Sequence, residues 1–167
     1  NTNTHGGSNR YYIKKKSNKF YKIKNNVNKE IKKEKKFGLH KYSTYKKFAS
    51  RVKESKKKLL NIFKKLKSKK LKIIGYGATA KSCTVLNFCG IGVKSIDYFY
   101  DTTSFKINKY LPGSKIEIKK YRKLSRKDVD IVFLGAWNFK EEIFKKERTF
   151  IKQGGKFITH VPYPKVL

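Results

Sequence analysis

Apolar side chains recur at spacings of three, four and seven through Tyr45, Phe48, Ala49, Val52, Leu59, Ile62, Phe63 and Leu66. That period predicts one long amphipathic helix. Ser43 or Thr44 is placed to cap its start, and Lys64 to Lys70 crowd its end, where cations meet the negative pole of the helix dipole. Packing of the apolar stripe on the domain that follows is the first reading, and a basic helix lying on a membrane surface is the second. Upstream, Tyr11 to Ile13 and Phe20 to Ile23 read as short strands separated by the charged run Lys14 to Lys19, with Asn25 to Asn28 as a polar break.

Beyond the helix the period changes. Leu71 to Ile74 reads as a strand, Gly75 to Ala78 as a Gly-rich turn, and Thr79 to Phe88 as a helix closed by Gly90. Ser95 to Tyr100 is a second strand ending at Asp101, followed by a loop carrying Tyr110 to Gly113 and a short alternation at Ile116 and Ile118. A polar helix around Arg122 to Arg126 precedes a buried strand at Asp130 to Leu134. A helix from Asn138 to Lys152, with Phe139, Ile143, Phe144 and Ile151 inward, leads to a last strand at Lys156 to Thr159. Alternating strands and helices predict an α/β fold: a small Rossmann-like parallel sheet with flanking helices, preceded by an amphipathic linker helix.

Composition narrows the function classes. In 167 residues there are 44 Lys plus Arg against 11 Asp plus Glu, a formal net charge of +33. Such charge makes nucleic acid a partner to consider. Only Arg10, Arg51, Arg122, Arg126 and Arg148 carry the guanidinium fork that base readout favours, however, and the rest are Lys. The Lys excess travels with Asn, Ile, Tyr and Phe, the residue set of an AT-rich coding sequence, so a solvated surface is the first reading and a basic binding surface the second. No RNP-like aromatic pattern or recognition helix accompanies the charge, and a specific nucleic-acid partner is not expected. Of the basic side chains 25, and of the acidic ones 3, fall in residues 1–70, which places most of the excess outside the α/β part. No apolar stretch is long enough to span a membrane or to form a signal peptide, so a cytoplasmic protein with no membrane partner is expected. The polar, Met-less start suggests a fragment of a longer chain. Cys83 and Cys89, six residues apart, read as buried thiols, and His5, His40 and His160 share no metal-ligand spacing with them, so no metal site is expected.

The strongest local motif is Gly75-Tyr76-Gly77-Ala78-Thr79-Ala80-Lys81, which fits G-x-G-x-x-G/A where a strand turns into a helix. Its glycines permit a tight turn and the close approach of a phosphate, Lys81 adds a charge at the mouth, and Asp97 or Asp101 is available for a ribose hydroxyl. Alone, this supports a nucleotide, nucleotide-sugar or dinucleotide site, or a turn that merely connects elements. Asn87, Tyr110, Trp137 and Asn138 fall at or near the carboxyl ends of strands or in the loops facing them, where open α/β sheets bind ligands. Trp137, the only Trp, either stacks on a base or sugar or caps the core, and Asn138 either meets a ligand or caps the last long helix.

In chain order, Thr4-His5-Gly6-Gly7-Ser8, the Gly75 to Lys81 motif, Leu86 to Ile91, Ile96-Asp97-Tyr98, Asp101, Lys109-Tyr110-Leu111-Pro112-Gly113, Trp137-Asn138 and Pro162 to Leu167 resemble the C-terminal region of S-adenosylmethionine-dependent sugar C-methyltransferases. The resemblance covers residues 4–167. Ala136 departs from it, standing where the family usually shows Pro.

The resemblance implies a three-part enzyme with a small zinc-binding N-terminal domain, a central Rossmann domain for S-adenosylmethionine and a C-terminal Rossmann-like domain that helps hold a nucleotide-linked keto sugar. Residues 1–24 would then end the preceding methyltransferase domain, 25–70 would form the linker with its amphipathic helix, and 71–167 would form the substrate-binding domain. Zinc and S-adenosylmethionine would be bound by the remainder of the same polypeptide, and the isolated piece would be inactive. Gly75, Tyr76, Gly77, Ala78, Lys81, Asn87, Tyr110, Pro112, Trp137 and Asn138 would contribute to the substrate surface. The implied chemistry removes a proton beside a ketone and methylates the enolate, and His5 is the candidate base, its ordinary pKa of about 6.5 leaving much of it neutral near pH 7. The alternative is a stand-alone nucleotide- or dinucleotide-binding Rossmann module.

Overall fold

The computed structural model describes residues 1–167 apart from the side chain of His5. The chain divides into two compact units, Asn1–Val52 and Lys53–Leu167.

In the first unit, Thr2 and Ser8 exchange backbone hydrogen bonds of 2.7 and 2.9 Å. Tyr11 to Ile13 and Phe20 to Ile23 form no strands. No partner strand pairs with them, and a strand without one leaves its backbone groups to water. The polar run at Asn25 to Asn28 is not a break but the start of helix α1 (Asn26–Phe37), which stops at Gly38 in the left-handed conformation, φ +84°. Helix α2 (Tyr42–Ser68) begins one residue before Ser43, so neither Ser43 nor Thr44 caps it. Its apolar stripe splits in two: Tyr45 and Phe48 are exposed, whereas Leu59 and Phe63 are buried.

Leu59 and Phe63 belong to the second unit and confirm packing of the helix on the α/β core. There β1 (Ile73–Tyr76) leads into α3 (Ala80–Cys89), then β2 (Phe99–Asp101), β3 (Ile118–Lys120), β4 (Ile131–Leu134), α4 (Lys140–Lys146), α5 (Arg148–Lys152), β5 (Lys156–Thr159) and β6 (Lys165–Val166). The sheet order is β3-β2-β1-β4-β5-β6. All pairs are parallel except β5 with the short edge strand β6, which the sequence pattern did not reveal.

Every residue of β1 and β4 is buried, as expected for parallel strands covered on both faces. Alternation sends Ile73, Phe99, Phe133 and Ile158 to the face covered by α2 and α3. Ile74, Val132, Leu134 and Phe157 face α4 and α5. Two expected helices differ. Residues 122–126 form turns and loop rather than a helix. The single helix expected over 138–152 is a short 3-10 turn, Trp137–Phe139, followed by α4 and α5, with Glu147 at the break in a non-helical conformation (φ −99°, ψ 23°). Consequently Ile143, Glu147 and Phe150 are the buried residues there and Phe144 is half-buried, while Phe139 and Ile151 are exposed.

Candidate functional site at the carboxyl ends of the strands

Strand order reverses between β1 and β4, and the loops after these two strands meet there. In open α/β sheets this is the usual place for a ligand. Gly75 and Tyr76 complete β1 rather than joining the turn, which is Gly77 to Thr79. Gly75 is fixed by packing, since a Cβ on it would run into the ring of Phe99. Gly77 has φ +85°, and a Cβ there would strike Ala136. The turns after β1 and β4 therefore close on each other.

The turn spends its donors internally. Gly77 N–H donates to Tyr100 O at 2.8 Å and Thr79 N–H to Gly77 O at 3.0 Å. Ala78 N–H donates to Asp101 Oδ2 at 2.8 Å. Asp101 also accepts from Thr103 N–H at 2.8 Å, and Lys106 Nζ lies 3.4 Å from its Oδ2. Burial alone would raise the pKa of Asp101, but the bonds from Thr103, the Lys106 charge and the bond from Ala78 outweigh it and hold the carboxyl below its ordinary value. Lys106 Nζ donates in addition to Ala78 O at 2.9 Å. Asp101, read from the sequence as a ribose acceptor, thus ties the Gly77 turn to the loop after β2, and Asp97 is exposed.

Thr79 caps α3, accepting from Ser82 N–H at 3.1 Å. In the first turn of that helix, the Nζ of Lys81 is buried, has no hydrogen-bond partner among the described residues, and lies 4.9 Å from the centroid of the Trp137 ring. Trp137 is half-buried and packs against the core beneath it, so it caps the core and covers the ammonium at once. Asn138 lies in the 3-10 turn, and Phe139, not Asn138, precedes α4.

Gly75 to Ala78, Lys81, Trp137 and Asn138 are brought together at this end of the sheet. Asn87, Tyr110 and Pro112 are not. From Ala80 to Asn87 the helix descends about 10 Å toward the amino ends of the strands. There Asn87 Nδ2 donates to Pro112 O at 3.0 Å. Gly113, at φ +78°, leaves no room for a Cβ beside the Asn87 side chain, so this contact packs the 110–113 loop onto the end of α3. Tyr110 is exposed and pairs through its backbone with Glu117. The side chain of His5 lies outside what the structure describes.

Two buried titratable groups were missed. Glu147 is fully buried; its carboxylate accepts from Tyr121 OH at 2.7 Å, Leu124 N–H at 3.2 Å and Tyr76 OH at 3.4 Å. Burial first, and the adjacent carboxylate next, push the Tyr76 hydroxyl well above its ordinary pKa. A sequence signal existed: Ile143, Glu147 and Phe150 share a helical stripe, so one carboxylate sits on a buried face. His160, just past β5, stacks on Phe133 with ring centroids 5.4 Å apart and the planes 16° from parallel. Its Nδ1 is buried without a partner among the described residues, and burial lowers its pKa to about 4. Cys89 is buried and Cys83 half-buried, both as free thiols that burial pushes up in pKa. Among the described residues no helix is long and apolar enough to cross a membrane.

Comparison with known proteins bears on this architecture. Residues 3–162 match the family model of the C-methyltransferase C-terminal domain. The chain is also similar to C-methyltransferase NovU of Streptomyces niveus, with 39% identity over 95 residues, which is 57% of this chain and 23% of that relative.

Proposed function

Because the chain belongs to the C-methyltransferase C-terminal domain family, we propose that it is the substrate-holding part of a methyltransferase and that the molecule it holds is a nucleotide-linked keto sugar. The observation that carries this reading is the Lys81–Trp137 pair, a buried ammonium under an indole with no acceptor among the described residues. A cation so placed at the switch point suits a diphosphate oxygen, and the adjacent indole suits a base or sugar face.

A dinucleotide or S-adenosylmethionine does not fit the Gly77 turn. The amides of Gly77 and Ala78 are already given to Tyr100 and Asp101, Asp101 is spent on the protein, and Asp97 precedes β2 at the other end of the sheet, beside the start of β1. On this reading the methyl donor, and the zinc of the family's N-terminal domain, are held by other parts of a longer polypeptide. The first unit is consistent with that. Tyr11, Tyr12, Phe20, Tyr21, Tyr45 and Phe48 are all exposed, and α1 buries nothing, as expected if a preceding domain covers them.

The chemistry assigned to this chain is to hold the sugar while a proton leaves the carbon beside its ketone. His5 is the proposed base for that proton. In the complete enzyme, His5→Asn is expected to abolish exchange of that hydrogen for deuterium, and retained exchange would remove His5 from the role. Lys81→Ala is expected to weaken binding of the nucleotide-linked keto sugar about tenfold or more, measured by calorimetric titration. Unchanged affinity would return Lys81 to a packing role and sink the substrate reading of this end of the sheet.

A further inference from the structure

At the opposite end of the sheet, where β1, β4 and β5 begin, a cavity of about 480 Å³ opens beside the last turns of α2. It lies within Lys53–Leu167, and the sheet separates it from the Gly77 turn. Its floor is apolar: Ile62, Leu66, Leu71, Ile131 and Val166. Four of its other lining residues are cationic, Lys65, Lys69, Arg126 and Lys156, beside Ser68, Asp130 and Gly154.

The charge there is not matched by the protein. The lining holds a single carboxylate, Asp130, which is paired with Arg126 and accepts from Lys72 N–H at 2.8 Å. Nor do the ends of α2 absorb the lysines. Leu66 O accepts from the N–H groups of Lys69 and Leu71, Lys67 O from Lys70 N–H, and Lys65 O from the Ser68 hydroxyl. Three of the last four carbonyls of α2, those of Lys65, Leu66 and Lys67, thus already accept hydrogen bonds. Among the described residues, the ammonium groups of Lys65, Lys69 and Lys156 have no ion-pair partner.

An apolar floor under uncompensated cations, in a volume typical of small-molecule sites, has a complementary ligand class. We propose that this cavity binds a small amphipathic organic anion, with its apolar body on the Ile62–Leu66–Ile131 floor and its acidic head between Lys69 and Lys156. The site is separate from the one proposed to hold the sugar, and it does not depend on the identity of the methylated substrate.

The test uses the full chain and three probes. 8-Anilinonaphthalene-1-sulfonate carries both an aromatic body and an acidic head, N-phenylnaphthylamine carries the body without the charge, and inorganic sulfate carries the charge without the body. The sulfonate dye is expected to bind with one saturable site, and each single-feature probe about tenfold or more weaker. Lys69→Glu with Lys156→Glu, two exposed substitutions that leave the core intact, is expected to weaken dye binding by a similar factor. Val166→Trp, which fills the cavity, is expected to weaken it as well. Dye affinity unchanged in both variants would place binding elsewhere, for example on the exposed aromatics of residues 1–52, and would overturn the proposal. Equal binding of N-phenylnaphthylamine would also overturn it, by removing any role for charge. Titration with the nucleotide-linked sugar is expected to be unaffected by these variants, so this failure is distinguishable from failure at the Lys81 end.

Discussion

Glu147→Ala is expected to destabilise the α/β unit by about 3–5 kcal/mol. The carboxylate is fully buried and receives three hydrogen bonds, from Tyr121, Leu124 and Tyr76. Truncation leaves those donors without acceptors in an apolar setting, at about 1–3 kcal/mol for each group that water does not reach. It also opens a void where the helix breaks between α4 and α5. The network holds more than itself: Tyr121 packs edge-on against Tyr76, with centroids 5.6 Å apart, and against Tyr100, at 6.2 Å. Removing Glu147 therefore frees the 121–125 segment from the strand that feeds the Gly77 turn. Glu147→Gln keeps the volume and one acceptor and should cost less. The measurement is urea unfolding, with the midpoint shifted and the slope preserved. A loss below about 1 kcal/mol would mean that water, not Glu147, satisfies these donors.

Acid is expected to remove about 3 kcal/mol of stability through His160 alone. Its pKa is about 4 in the fold, against 6.5 as the ordinary value. The folded state therefore binds fewer protons than the unfolded chain between these pH values. The contribution is fully present above about pH 6.5 and is lost progressively as the pH falls toward 4. Asp101 and Asp130 have lowered pKa values and add acid sensitivity of their own, so the wild-type slope alone does not isolate the histidine. His160→Phe does. The ring still stacks on Phe133, nothing titrates, and the unpartnered Nδ1 disappears. Melting temperatures measured from pH 7 to pH 4 should fall less steeply in the variant than in the wild type. Parallel curves would show that His160 is solvated.

Much of the α/β part was legible because its elements carry strong local signals. The apolar runs at Leu71 to Ile74 and Asp130 to Leu134 mark β1 and β4 to within two residues, and Thr79 and Gly90 bracket α3 as caps. What stayed hidden depends on contacts distant in sequence. The helix expected at Arg122 to Arg126 gives way because Tyr121 and Leu124 are drawn to Glu147, more than twenty residues on. The long helix expected at Asn138 to Lys152 breaks at that same carboxylate. Strand β6 is two exposed residues, too short for any alternation, and exists because β5 offers it an edge.

The site was legible in part for a similar reason. Gly77, Lys81 and Trp137 meet because each lies just past the carboxyl end of one of the two central strands, β1 or β4. The sequence pattern puts Asn87 at or near the carboxyl ends of the strands or in the loops facing them, yet a helix carries it to the other end of the sheet, where it holds Pro112. Asp101 matched the position of a ribose-binding acid but is consumed by the turn it was expected to serve beside.

Trp137 is the chain's only tryptophan, so its intrinsic fluorescence reports on the Lys81 end of the sheet and nowhere else. The most direct test of the account is a fluorescence titration of the full chain with a nucleotide-linked keto sugar and, separately, with NAD. A saturable change is expected with the sugar nucleotide, lost in Lys81→Ala, and none with NAD. A saturable response to NAD alongside indifference to the sugar nucleotide would overturn the sugar-holding reading and make the domain a dinucleotide-binding module instead.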